Sequence, residues 1–193
     1  EKSLVYKKNN EWKSYSSQDF INISNKVSRS LLALGVKPND KIALIVPVNQ
    51  PKWHFLDIGI LQIGVQNVPL YATLSEKDYQ YVLNHSDCKY CFIAGNNIFE
   101  KVKAVQDRTQ LKEVYRIDDD SEIGWNSFLE LGKDETTQTK VEELKNSSPN
   151  YIVYSSRINW FKMRNNAPNA DRFILNNYFL YKDLSPWKIY KKK

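Results

Sequence analysis

Apolar and polar residues alternate along residues 3–7 and again along 12–16, and the two runs flank Asn9-Asn10. Period-two alternation around a pair of turn-forming asparagines predicts a β-hairpin. The period then lengthens. Phe20, Ile23, Val27, Leu31 and Leu34 recur at helical spacing, with Ser16 and Asp19 placed as a capping box and Gly35 as the stop. Residues 42–46 are a nearly unbroken apolar run, which suits a strand covered on both faces. Pro51 fits the first turn of the next helix. Trp53, Leu56, Ile60, Leu61 and Ile63 give that helix a broad apolar face, and Gly64 closes it. A strand at 65–70 follows, then a helix capped by Ser75 and Asp78 that carries Tyr79, Val82 and Leu83. A strand at 90–94, a short helix around 98–105 and a strand around 113–117 complete the series. Residues 133–148 are polar and predict a loop or a frayed helix. Strands alternating with helices in this way predict an α/β fold with a mostly parallel sheet. There is no internal repeat.

Composition narrows the class. The 193 residues make one ordinary domain or a piece of a larger one. At 41% hydrophobic residues the chain has material for a core, which excludes wholesale disorder. No apolar run approaches the ~20 residues of a membrane-spanning helix. No basic-then-apolar leader precedes the first strand, so nothing argues for secretion. The expected location is the cytoplasm, with peripheral contact at a membrane left open.

Charge is unevenly placed. Of 28 Lys and Arg and 22 Asp and Glu, nine basic and two acidic residues fall at 157–193, leaving 19 and 20 before them. The body is balanced and the tail is basic. Trp160, Phe161, Phe173, Tyr178, Phe179, Tyr181, Trp187 and Tyr190 are interleaved with those cations. Aromatic rings among Lys and Arg can stack on bases or meet an anionic membrane, so a nucleic-acid or lipid arm is one reading of the tail.

Metal and redox chemistry find little support. Cys88 and Cys91 form a C-x-x-C, the spacing of a redox pair or half a zinc site. Their segment reads as a strand, in which residues three apart point to opposite faces. The two histidines, His54 and His85, complete no ligand set. Reduced thiols in a cytosolic protein are the expectation. Asp118-Asp119-Asp120 could bind a cation, but a solvated loop is the simpler reading. His54 reads as packing or surface and His85 as part of a helix-ending turn.

The landmarks along the body resemble a known family. Gly35-Val36-Lys37-Pro38-Asn39-Asp40-Lys41-Ile42-Ala43-Leu44 resembles the G-V-x-x-G-D-x-V-A-L segment of adenylate-forming enzymes, the AMP-forming acyl-CoA synthetases and their relatives. Asn49 and Trp53 are similar to the family's asparagine, short gap and tryptophan. Gly64 to Leu70 matches G-x-x-x-V-P-L. Tyr71-Ala72-Thr73-Leu74-Ser75 is similar to the Y-P-T-L-S form of long-chain fatty acid–CoA ligases, with Ala72 in place of Pro. Trp12 to Ser16 resembles the early strand W-x-x-Y-T. The resemblance covers residues 1–156, which it makes the N-terminal α/β subdomain of an AMP-binding enzyme, with 157–193 a basic aromatic tail. The landmarks themselves are structural. Gly35 suits a left-handed helix cap, Asp40 the turn before a strand, and Trp53 a core.

The chemistry of such enzymes begins at a Gly- and Thr-rich loop, Y-T-S-G-T-T-G-x-P-K-G, whose backbone N–H groups and hydroxyls hold the ATP phosphates. Small residues are needed because the backbone must come close to the phosphates. Residues 151–154 match the strand before it, and Tyr154, Ser155 and Ser156 match its first three positions. They are the candidate ATP-binding remnant. Arg157 and Trp160 then stand at the two Gly positions, Ile158 and Asn159 at the two Thr positions, and Met163 at the Lys position with Lys162 one place early. A Trp cannot replace a Gly that lies against a phosphate.

A frame slip would account for the break. Trp160 is TGG. With AAC for Asn159 and TTT for Phe161, reading one nucleotide on gives Thr-Gly-Leu, as in the family loop. From Ile174 the chain again resembles the helix after that loop. The slip would run from 157 to about 172; the alternative is a divergent tail. The resemblance implies ATP, Mg²⁺ and CoA as cofactors and a fatty acid as substrate for the intact enzyme. It also puts the acyl pocket, the acidic metal ligand and the catalytic Lys beyond Lys193. No residue takes a catalytic role on this reading, and the chain is expected to be inactive.

Overall fold

A computed structural model describes residues 2–146, 151–155, 178–184 and 187–192. Contacts divide the chain into two units, residues 1–145 and 146–193.

The first unit opens with the expected hairpin, β1 (Lys2–Lys8) and β2 (Glu11–Ser16), paired antiparallel. Asn9 and Asn10 take φ of 52° and 65°, the doubly left-handed turn whose twist matches the two strands. Helix α1 (Ser17–Ala33) starts at the predicted box. The Ser16 hydroxyl accepts from the Asp19 N–H, and the Asp19 carboxylate accepts the Ser16 N–H at 2.9 Å. It ends in a Schellman motif. Gly35, at φ 76°, donates its N–H to the Leu32 carbonyl, and Val36 donates to Leu31.

Then β3 (Lys41–Ile45), α2 (Pro51–Leu61), β4 (Gln66–Pro69), α3 (Glu76–Ser86), β5 (Cys88–Ile93), α4 (Asn96–Gln106) and β6 (Glu113–Arg116) alternate. The four strands form a parallel sheet in the order β4-β3-β5-β6, as the alternation predicts. Helices α5 (Trp125–Glu130) and α6 (Glu135–Asn146) follow. The polar stretch at 133–148 is therefore mostly helix within its described residues. Its Val141 and Leu144 pack on the core, and the apolar pattern carries no signal for α5.

Strict alternation sends the strands' side chains into two clusters. Ile42, Leu44, Tyr90, Phe92 and Tyr115 join the cluster that α1, α2 and α5 cover. Ala43, Ile45, Cys91, Ile93 and Val114 join the one that α3 and α4 cover. One irregularity corrects the sequence reading. Lys41 pairs with Cys88 but Ile42 with Tyr90, so β5 is bulged by one residue at its start. The extra residue cancels the three-apart rule, and Cys88 and Cys91 lie buried in the same cluster. Both are free thiols. The bulge also frees Lys89 to reach Asp40. The Asp40 carboxylate accepts from Lys89 Nζ at 2.6 Å and from the Lys37 N–H at 2.9 Å, fixing the turn before β3.

The inner face of α2 differs from the expected one. Phe55, Leu56 and Ile60 are buried, while Leu61 is 51% exposed. The helix is apolar almost all round, so periodicity alone does not single out a face. Gly59 does. Here α1 and α2 approach so closely that a Cβ would lie 2.5 Å from Val27 Cγ1 and 2.9 Å from the Ser24 carbonyl oxygen. The buried Ser28 hydroxyl donates to the Gly59 carbonyl at 2.6 Å across this contact.

In the second unit β7 (Tyr151–Ser155), β8 (Tyr178–Leu184) and β9 (Trp187–Lys192) form an antiparallel sheet in the order β7-β9-β8. Residues 178–184, just after the segment that resembles a helix, are a strand. The proposed slip at 157–172 lies outside the described residues.

Candidate functional site

The candidate ATP-binding residues begin at the end of β7. Tyr154 and Ser155 are its last two residues, in register with Lys188 and Trp187 of β9, and Ser156 lies outside the described residues.

The parallel sheet offers a second place to look. Its order makes β3 and β5 neighbours whose following helices lead away in opposite directions along the sheet. In open α/β sheets that switch point is where ligands bind, often with an anion on a helix N-terminus. Gly95 begins α4 there at φ 98°, with no side-chain cap of its own. The place is already taken. Asp118, just past β6, accepts the Gly95 N–H on its carboxylate at 2.9 Å. Arg116 holds Asp118 at 3.4 Å and Asp119 at 3.3 Å, donates to Asn96 at 3.2 Å and lies over the Phe99 ring. Lys52, in the first turn of α2, donates to the Ile117 carbonyl at 2.6 Å and sits over the Trp125 ring. Burial lowers the Lys52 pKa, against the pull of Asp120 and Asp118. This end of the sheet is closed by the protein's own charges.

The carboxylates of the acidic turn are bonded to neighbouring groups of the protein. Asp119 accepts from the Ser121 N–H and Asp120 from Asn126, while Asp118 caps α4. Among the described residues no group of three or more His, Cys, Asp or Glu could hold a metal ion. His54 is exposed beside Trp53, and His85 is stacked on Tyr81 in the last turn of α3. Burial raises both thiol pKa values, well above the ordinary range for Cys91. Three surface grooves of 280, 270 and 100 Å³ are smaller than the ~300 Å³ at which small-molecule sites begin. The roles of Lys52, Arg116 and Asp118 had no sequence signal beyond an isolated cation near a helix start and an acidic run.

The fold of the first unit has counterparts among solved structures. It is that of the N-terminal region of CoA-ligase structures. A long-chain-fatty-acid–CoA ligase from Archaeoglobus fulgidus superposes with a TM-score of 0.57 at 14% identity, over 62% of this chain and 24% of that one. The AMP-binding enzyme family matches residues 1–156, and the chain belongs to that family. The human mitochondrial acyl-coenzyme A synthetase ACSM5 is 27% identical over 125 residues, 64% of this chain and 21% of its own length. The human long-chain-fatty-acid–CoA ligase ACSBG2 is 23% identical over 164 residues, 80% of this chain and 24% of its own. The chain spans about a fifth to a quarter of the length of these relatives. Among the described residues no helix is long and apolar enough to cross a membrane.

Proposed function

We propose that this chain is an N-terminal segment of a long-chain fatty acid–CoA ligase lineage and that, as it stands, it does not bind ATP. The intact parent would activate a fatty acid as its acyl-adenylate at the expense of ATP and pass the acyl group to the CoA thiol, with Mg²⁺ neutralising phosphate charge. The observation that carries the reading is the order of residues after β7. Tyr154-Ser155-Ser156 keeps the loop's start, and Arg157, Ile158, Asn159 and Trp160 then replace its glycines and threonines. Among the described residues the head of α4 is no better a place for the nucleotide. Asp118 already takes the amide that heads α4, and like charge opposes a phosphate there. The resemblance of Tyr71 to Ser75 supports the long-chain branch.

Titration calorimetry of the chain with ATP and Mg²⁺ tests this. No saturable heat is expected up to millimolar nucleotide, and micromolar binding would overturn it. The gene read from the Tyr151 codon tests the cause. A family-like T-S-G-T-T-G one nucleotide away, followed by further family-like codons, is expected. A clean frame through Arg157 to Lys193 would make 157–193 native sequence. The cation excess of that tail would then favour the second reading, a module that binds nucleic acid or anionic membrane. Salt-sensitive binding lost on truncation after Ser156 would mark it.

A further inference from the structure

The β1–β2 hairpin is anchored at one end and bare at the other. At its base Leu4 pairs with Tyr15, both pack against the aromatic cluster, and Tyr6 stacks on Tyr15 at 5.7 Å. Beyond that base every residue from 7 to 14 is exposed. This tip carries Lys7, Lys8 and Lys13 against a single acid, Glu11. Among the described residues none of the three lysines forms a salt bridge.

The register sorts the side chains. Lys7 stands opposite Trp12, and Val5 opposite Ser14, on the face turned away from Leu4 and Tyr15; Lys13, opposite Tyr6, and Lys8, opposite Glu11, stand on the other face. Trp12 is 73% exposed and Val5 is 55% exposed. A large indole held in water by a tight turn adds nothing to the core beneath it. An indole beside an aliphatic side chain prefers a membrane–water interface, and flanking lysines are drawn to anionic headgroups. Sites for single-stranded nucleic acid instead line up successive rings for successive bases, and this tip has one.

We propose that the hairpin tip docks end-on on an anionic lipid surface, with Trp12 entering the headgroup layer, Lys7 beside it on the same face, and Lys8 and Lys13 meeting the headgroup charges from the other face of the ribbon. The inference rests on the hairpin alone and is independent of whether the chain binds ATP.

Co-sedimentation of the full chain with vesicles tests it. Phosphatidylcholine vesicles containing phosphatidylserine should bind the chain at low salt, and phosphatidylcholine alone should not. Each of Lys7→Gln, Lys8→Gln and Lys13→Gln should weaken partitioning about fivefold, and Trp12→Ala about tenfold. These side chains are exposed, so the thermal midpoint should not move. At lipid concentrations that bind both chains fully, brominated lipid should quench tryptophan emission in the unaltered chain and not in Trp12→Ala, a readout that then does not depend on affinity. Absence of binding would overturn the proposal. So would binding unchanged by all four substitutions, which would assign it to another surface such as the basic tail. Tighter binding of an oligonucleotide through the same four residues would replace the lipid with nucleic acid.

Discussion

The two faces of the parallel sheet share their strands and are built from different material. Neighbouring residues of one strand, Cys91 and Phe92, point to opposite faces. On the Phe92 side the rings meet one another. Phe92 lies 4.8 Å from Phe128 edge-on, and Tyr115 lies 5.3 Å from Phe92 and 5.2 Å from Phe128. On the Cys91 side aliphatic residues from α3 and α4 and a single buried tyrosine, Tyr79, close over two thiols. The rings lie beneath α1, α2, α5 and the hairpin, and the smaller side chains beneath α3 and α4. The comparison also locates the polar exceptions. Ser24, Ser28 and Ser30 are all buried, and all belong to α1.

The sharpest test of this contrast is truncation on the aromatic face. Phe92→Ala should cost about 3–5 kcal/mol in urea unfolding, and Cys91→Ser, which buries a hydroxyl, about 1–3 kcal/mol. Equal costs would mean that the rings do not concentrate stability on their face. Next comes the α1–α2 contact. Gly59→Ala forces a methyl against Val27 and the Ser24 carbonyl and should cost about 1–3 kcal/mol by overpacking. A neutral result would show that the helices can part freely. The thiols report the other face. With pKa values raised by burial, Cys88 and Cys91 should resist alkylation in the native state at neutral pH and react only as the protein unfolds. If thiol reactivity and near-ultraviolet dichroism change at different urea concentrations, the two faces open separately.

The smallest effect concerns pH. Asp40 loses hydration on burial, which raises its pKa, but its bonds from Lys89 and the Lys37 N–H outweigh this and leave it below its ordinary 3.8. A lowered carboxylate pKa means that the unfolded chain binds the proton first. The stability it adds is complete above the ordinary value and is lost as pH falls through the lowered one. Asp40→Asn should therefore flatten the acid limb below about pH 4 and change little near neutrality, as read from thermal midpoints across pH.

Much of this fold is legible because local signals agree with the global pattern. The Ser16 and Ser75 boxes, the Asn9-Asn10 turn and the Gly35 stop each have a chemical reason that acts within a few residues. What the sequence hides acts over distance or through an inserted residue. The bulge before Tyr90 adds one residue, and a pattern of apolar positions does not say which partner it skips. The buried face of α2 is set by Gly59 against Val27, a contact across 32 positions of sequence. The cap on Gly95 comes from Asp118, and nothing in residues 95–98 announces it. The candidate phosphate loop was legible only as a departure from a familiar order, because small residues at fixed places are the whole of its signature.

The Asp118 cap has a consequence in terms of competition. A carboxylate joined to the end of β6 by one residue is presented to the Gly95 amide at the effective concentration of a tethered group, on the order of millimolar or above. A free anion must outbid that occupant and also part it from Arg116. The head of α4 thus behaves as a receptor permanently bound to its own ligand, and its selectivity is exercised against everything in solution.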